Sequence, residues 1–276
     1  PVTEWTSGVR IVGTQFEIAE GATIKDLKIA NNGFSIEARI TAEKARLDSN
    51  GAIDFLPTPG LVTECNFPQG NHIEVIASVS EGKTISPFYD SMIAQLIVHG
   101  KNRKDAIKKL IAALEETTIK GVCTNISLLK RILKDKTFID GKYDTGYLPA
   151  FLDTLDKDLI VEEMAYTGVA DTGSDLSNLQ IAGTDEIKVI SPMTGIYYST
   201  PSPSQPDFVK VGDKINLSHT LCQVEAMKLF THISLSSVPG SGEAFTAENE
   251  YEVVRVNQAN NAQVNSGDLL FVVKPV

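Results

Sequence analysis

Hydrophobic positions along this 276-residue chain follow two regimes that change over near residue 155. In the first regime, Ile11, Val12, Phe16 and Ile18-Ala19 recur at roughly helical spacing and predict an early helix. Residues 33–40 alternate polar and apolar, which predicts a strand with Ser35, Glu37 and Arg39 on one face. Residues 73–79 read as a second strand, closed by a turn at Glu81-Gly82-Lys83. The apolar run at 92–98 is too short to separate helix from strand, and Gly100 ends it either way. A clear helix starts near Lys104, with Ile107, Leu110, Ile111 and Leu114 on one side and Lys108, Lys109, Glu115 and Glu116 on the other. Another follows Thr124-Asn125, either of which can cap it, with Leu128, Leu129, Ile132 and Leu133 on one face. Both stripes predict core packing rather than a cofactor contact.

Beyond residue 155 the pattern changes. Residues 153–163 are acidic, and 170–179 are rich in turn formers and poor in large apolar residues, the composition of a flexible linker spanning 155–186. From Ile187 onward short β-like runs take over at 187–190, 196–198, 221–224, 229–235, 251–256 and 269–273. They are separated by Pro192, Gly195, Pro201-Ser-Pro203, Gly212-Asp213, Pro239-Gly240 and Gly267-Asp268. A compact all-β module of 187–276 is predicted. Val211-Gly-Asp213 and Ser266-Gly-Asp268, each ahead of a strand, hint at a duplicated half-module.

Composition narrows the function. Hydrophobic residues make up 42% and charged residues 22%, as in a globular protein with a real core, and no run approaches the ~20 apolar residues of a membrane span. Twenty-five Lys and Arg against 35 Asp and Glu give a net charge of −10, which repels phosphate backbones, so neither nucleic acid nor membrane is expected as a partner. Cys65, Cys123 and Cys222 and the four histidines are scattered without metal-ligand spacing, so no metal site is expected, and a reducing, cytoplasmic setting fits better than a disulfide scaffold. The start, Pro1-Val-Thr-Glu-Trp5, carries no signal region and no initiator Met, and reads as an excised piece or a mature end of something longer.

One lysine stands out. If the runs on either side of Val224-Glu225-Ala226-Met227-Lys228-Leu229 pair as a hairpin, Lys228 projects from its tip. A solvated ammonium on a flexible four-carbon stem can be acylated without disturbing the fold; equally, most turn lysines are simply surface residues. The whole local pattern favours chemistry. Glu225-Ala226-Met227-Lys228 resembles the attachment motif of biotinyl domains of the biotin carboxyl carrier type. Ile190-Ser-Pro-Met-Thr-Gly195 resembles that family's first strand, and Val211-Gly-Asp213 and Gly267-Asp268-Leu269 fall in its order. The resemblance implies covalent biotin on Lys228, with Glu225, Ala226 and Met227 read by biotin protein ligase. Related lipoyl domains usually carry Asp-Lys-Ala, so Met227 favours biotin over a lipoyl carrier of a dehydrogenase complex. The Pro- and Ser-rich stretch 197–208 resembles the protruding thumb of acetyl-CoA carboxylase carriers, although an ordinary long β-loop accounts for it as well. Residues 236–250 exceed the family's tight return and predict an inserted loop.

The first half resembles the same enzyme. Pro1-Val-Thr-Glu4 with Ser7-Gly8 is similar to the segment closing the ATP-grasp region of biotin carboxylase. Phe34-Ser-Ile-Glu-Ala-Arg39, Phe55-Leu-Pro-Thr-Pro-Gly60 and the run from Phe88-Tyr-Asp-Ser-Met92 are similar to its C-terminal lobe, as are Thr124-Asn125 and Asp144-Thr-Gly-Tyr147. No glycine-rich phosphate loop precedes a helix here, so ATP, Mg and bicarbonate would act only through an ATP-grasp portion outside these residues, and the segment alone is expected to be inactive. Counting back from Tyr89-Asp90 places Glu74 where the family has a catalytic arginine, and Gln95 replaces a common lysine. A carboxylate there would repel bicarbonate. Glu74 is either a plain strand-surface residue or the mark of a degenerate lobe.

The expected fold class is thus α+β: a mixed biotin carboxylase C-terminal lobe (1–154), a linker (155–186), and an all-β flattened-barrel biotinyl domain, a barrel-sandwich hybrid (187–276). The resemblance implies the biotin carboxylase and carrier subunit of an ATP-dependent carboxylase, a ligase forming C–C bonds, shuttling carboxybiotin to a carboxyltransferase. Acetyl-CoA is the first expected acceptor, within fatty acid biosynthesis, and an oligomer is expected. A non-catalytic carrier and scaffold subunit, or a propionyl-CoA, pyruvate or urea carboxylase piece, are the alternatives.

Overall fold

The run left open between helix and strand is a strand. Met92–Gly100 is the centre of a three-stranded antiparallel sheet, with Phe34–Thr41 on one side and Ile73–Ala77 on the other. Its register pairs Glu37 with Ile97 and Ile97 with Glu74, so these three side chains share one face. The computed structural model describes residues 1–48, 51–165, 179–238, 244–246 and 248–276. They form two bodies: Pro1–Ala42, Leu61–Lys83 and Met92–Leu155 make the first, and Glu43–Gly60, Thr84–Ser91 and Asp156–Val276 the second.

In the first body the helix Arg103–Glu116 packs against strands Phe34–Thr41 and Met92–Gly100 through buried Ala106, Ile107, Leu110, Ala113 and Leu114. Asn102 caps it by accepting from the Asp105 amide. Burying one Leu or Ile contributes about 1.5–3 kcal/mol. The surface pair Lys109–Asp105, at 3.2 Å, contributes about 0.2–0.5 kcal/mol. Packing, not charge, holds this helix. The next helix, Ile126–Lys134, has Asn125 at its N-cap position, but the side chain makes no cap bond. It accepts from the Thr41 amide at 3.0 Å and donates to the Arg39 carbonyl at 3.1 Å, tying the helix to the end of a strand. The early helix Ile11–Ala19 is present and buries none of its residues; Val12 and Phe16 are exposed.

The segment with linker composition opens on a helix, Lys157–Met164, because Asp156 accepts from the Leu159 amide and Ile160 and Met164 lie buried four residues apart. It belongs to the second body. Residues 170–178 of the turn-former stretch lie outside the described residues, as do 239–243 and 247 of the expected inserted loop. Leu179 is already in the core of the β-module, and Gln180 bridges Ile187.

That module is two four-stranded antiparallel sheets. One runs in the order Ile187–Ile190, Leu269–Pro275, Tyr251–Val256, Lys214–Ile215; the other runs Leu229–Ile233, Cys222–Ala226, Gly195–Tyr198, Gln263–Val264. Side chains from both sheets, among them Val189, Tyr197, Val224, Ile233, Tyr251, Val253 and Phe271, share one core. The expected flattened barrel is therefore realised as a sandwich, and no closed barrel forms among the described residues.

The suspected duplication is real, but the sequence pairs the wrong turns. Advancing each strand of the first sheet by four places in chain order generates the second sheet in its own order. The structural counterpart of Val211-Gly-Asp213 is Asn260-Asn261-Ala262, not Ser266-Gly-Asp268. Gly212 and Asn261 both have positive φ (92° and 65°). The Gly212 amide donates to Val253 and the Asn261 amide to Tyr197, and in return the Val253 amide reaches Asp213 and the Tyr197 amide reaches Ala262. Ser266-Gly-Asp268 corresponds instead to Leu217-Ser218-His219. Asparagine reaches the left-handed region almost as glycine does, so the shared geometry hides behind different letters.

Candidate functional site

The candidate attachment site is the hairpin between Cys222–Ala226 and Leu229–Ile233, in which Ala226 pairs with Leu229 and leaves only Met227 and Lys228 in the turn. Both turn residues have positive φ, 51° and 64°, the twist that a two-residue connection between antiparallel strands requires. A residue with a side chain is strained there by roughly 1–2 kcal/mol. Asn or Gly would relieve that strain, so a lysine at this place is held for another reason.

Three contacts fix the hairpin. Gly195, from the motif that resembles the family's first strand, lies where a Cβ would meet the Glu225 carbonyl at 2.4 Å, so only glycine lets Gly195–Tyr198 pair this closely with Cys222–Ala226. Tyr198 donates its hydroxyl to the Glu225 carboxylate at 2.7 Å; this bond, then burial, pushes the phenol pKa up. The Met227 amide, which the hairpin ladder leaves without a partner, donates to the Pro87 carbonyl at 2.5 Å. Ala226 and Met227 are buried, at 0% and 1% exposure, while Lys228, Leu229 and Phe230 are exposed. The Lys228 ammonium makes no hydrogen bond or ion pair with any described residue. A free primary amine on an exposed side chain can accept an acyl group without giving up a contact of its own, which is what covalent biotin needs.

The motifs at Ser191 and Gly267-Asp268 meet in space, while Val211-Gly-Asp213 keeps to its own turn. The Ser191 carbonyl accepts from the Gly267 amide and the Ser191 amide donates to the Asp268 carbonyl. The Asp213 carboxylate closes its own turn on the Lys210 amide, and Asp268 does the same on Asn265. Beside the hairpin, the loop after Tyr198 is pinned at its base: Ser199 bonds Asp207 at 2.7 Å and Asn260 at 3.0 Å. Tyr198, Thr200, Pro201, Pro203, Gln223 and Phe230 help line a cavity of about 340 Å³ there. Sequence reasoning expected a hairpin with Lys228 at its tip, and the hairpin is present. It missed Tyr198, whose alternation in a strand carried no distinguishing signal, and Pro87, which acts through a main-chain carbonyl.

In the first body Glu74 is exposed on Ile73–Ala77, and its Oε2 accepts from the indole Nε1 of Trp5 at 2.5 Å. Trp5 also stacks on His99, with centroids 5.9 Å apart. Gln95 donates to Glu37 at 2.7 Å on the same sheet face. Arg39 lies across from Gln95 on that face, its Nε 3.2 Å from the Met92 sulfur, and is a cation that sequence counting did not bring to the site. Among the described residues no group of three His, Cys, Asp or Glu is placed to hold a metal ion, and no helix is long and apolar enough to cross a membrane.

Comparisons with known proteins match the chain in two stretches. Residues 37–150 match the biotin carboxylase C-terminal domain, and 187–273 match the domain of biotin-requiring enzymes. The chain is 42% identical over 150 residues to the 2-oxoglutarate carboxylase small subunit of Hydrogenobacter thermophilus, covering 54% of this chain and 30% of that subunit. It is 39% identical over 153 residues to urea amidolyase of Saccharomyces cerevisiae, covering 55% of this chain and 8% of that protein. A single-chain, multi-domain long-chain acyl-CoA carboxylase shares the fold across 100% of this chain and 26% of its own, with a TM-score of 0.50 at 23% identity. The chain combines a biotin carboxylase C-terminal lobe with a biotin-lipoyl domain, and so matches the biotin-dependent carboxylases. It spans no more than about a third of the curated relatives named here.

Replacing Lys228 by glycine removes a strained side chain from a positive φ. Urea denaturation of Lys228→Gly is expected to show a gain of about 1 kcal/mol, and a loss would contradict the strained turn. The raised Tyr198 pKa sets a second expectation. A group whose folded pKa lies above its unfolded value stabilises the fold below the unfolded pKa, near 10, and loses that contribution as pH rises through the folded value. Tyr198→Phe should therefore flatten the alkaline fall in stability; an unchanged alkaline limb would show that the Glu225 bond does not form in solution.

Proposed function

We propose that Lys228 is the biotin attachment residue and that this chain is the C-terminal part of a biotin carboxylase and carrier subunit. The observation that supports it is the unpaired, exposed amine at a strained turn whose flanking Glu225, Ala226 and Met227 are all held in place. Attachment, driven by the ligase's ATP, joins Nζ of Lys228 to the carboxyl carbon of biotin as an amide, breaking one carboxyl C–O bond, whose oxygen leaves with the nucleotide phosphate, and releasing a proton from Nζ. Biotin, once bound, supplies a ureido nitrogen that carries a carboxyl group between two active centres. The protein's own part is to present the tether on a rigid sandwich, recognised by biotin protein ligase, and to deliver it to an ATP-grasp portion and then to a carboxyltransferase. An acyl-CoA is the acceptor favoured, acetyl-CoA first, on the strength of the loop at 197–208 closed at its base by Ser199, Asp207 and Asn260. Urea, pyruvate and propionyl-CoA stand behind it.

A second reading is a non-catalytic carrier and scaffold subunit, and Glu74 favours it. Its carboxylate is engaged by Trp5, and Glu37 stands on the same face, so an anion such as bicarbonate meets negative charge where the family places an arginine. Exposed Val12 and Phe16 on Ile11–Ala19 also suit a body that packs against further protein.

Single-turnover carboxylation of biotin on this chain, with a biotin carboxylase ATP-grasp portion, ATP and bicarbonate supplied, separates the two. The carrier-with-carboxylase reading expects carboxylation by the parent chain. Carboxylation that arises only in Glu74→Arg, by tenfold or more over the parent, would overturn it in favour of the scaffold. Lys228→Arg, which keeps the charge, should abolish avidin capture in either case.

A further inference from the structure

The Met227 amide has a partner that no hairpin provides for itself. In a two-residue turn the flanking pair, Ala226 and Leu229, closes the ladder, and the amides of both turn residues are left for water. Lys228 follows that expectation and makes no backbone bond with any described residue. Met227 instead donates to the carbonyl of Pro87, 140 positions away in the chain, and its side chain is 1% exposed. The acceptor sits in Thr84–Ser91, part of the same body as the hairpin. That segment has its own anchors: Ser86 Oγ accepts from the Phe88 amide at 3.2 Å, and Ser91 Oγ donates to Glu43 at 2.5 Å. It is therefore a shaped element and not a passing strand of loop.

We propose that Thr84–Ser91 is a docking surface for the chain's own attachment turn, and that docking hides Met227 while leaving the Lys228 amine in solvent. The inference rests on the reading of Lys228 as the attachment residue. A ligase that reads Ala226 and Met227 cannot reach a methionine that is fully covered, so the docked turn must leave Pro87 before Lys228 is acylated. Attachment then competes with docking, and its rate is reduced by the fraction of chains held in the docked state. The surface thus selects when the lysine is modified without touching the lysine itself.

The test uses the full chain. Amide hydrogen exchange is read at Met227 and Lys228 by NMR, and biotin transfer is followed with biotin protein ligase, ATP and biotin. Exchange at Met227 is expected to be at least tenfold slower than at Lys228, once each is corrected for its intrinsic rate. The combined change Ser86→Gly, Pro87→Gly, Phe88→Gly should bring the two amides level and speed biotin transfer several-fold. Equal exchange in the parent chain overturns the docking, and this measurement decides even if the triple variant does not fold. Loss of protection in the variant with no faster transfer overturns the control of attachment. Protection at Met227 with no biotin transfer in either protein would leave docking standing and remove the attachment reading instead.

Discussion

The hairpin that holds Lys228 closes on two residues with side chains, both at positive φ. Strain of this kind persists only where the surroundings over-determine it, and here they do. The ladder of Cys222–Ala226 with Leu229–Ile233 fixes both ends, Gly195 admits a neighbouring strand at a distance no Cβ tolerates, and Tyr198 pins Glu225 from that same strand. Behind these lies a core shared by two sheets of matching topology. The consequence is a lysine whose backbone is rigid and whose amine is free, the combination a covalent carrier needs.

Much of this was legible in the chain. Period-two alternation placed Phe34–Thr41, and the 3.6-residue stripe placed Arg103–Glu116, because burial on one face enforces both patterns. The β-module was readable from its turn residues, and the hairpin that holds Lys228 from the β-runs on either side of it. Illegible features share a physical cause: they depend on the main chain or on tertiary neighbours. Asn125 looked like a cap and spends its amide on a strand. Residues 157–164 looked like linker until an Asp156 cap and two buried side chains made them a helix. The duplicated turns were paired wrongly because Asn261 adopts what Gly212 adopts.

The first body poses the opposite problem. Residues 37–150 match the biotin carboxylase C-terminal domain, and one face of the sheet there carries Glu74 and Glu37, with Arg39 as a cation two residues along from Glu37. Trp5 and Gln95 each give one of those carboxylates a donor, so the charges are accommodated, not accidental. A domain of biotin-requiring enzymes thus adjoins in sequence a biotin carboxylase C-terminal lobe that carries two carboxylates on one sheet face.

Peptide mass mapping after incubation with biotin protein ligase and lipoate ligase together, each with its own cofactor and ATP, tests the central claim most directly. The account predicts the biotin adduct on the peptide containing Lys228 and on no other of the chain's lysines. A lipoyl adduct at Lys228, or biotin on a different lysine, would contradict it.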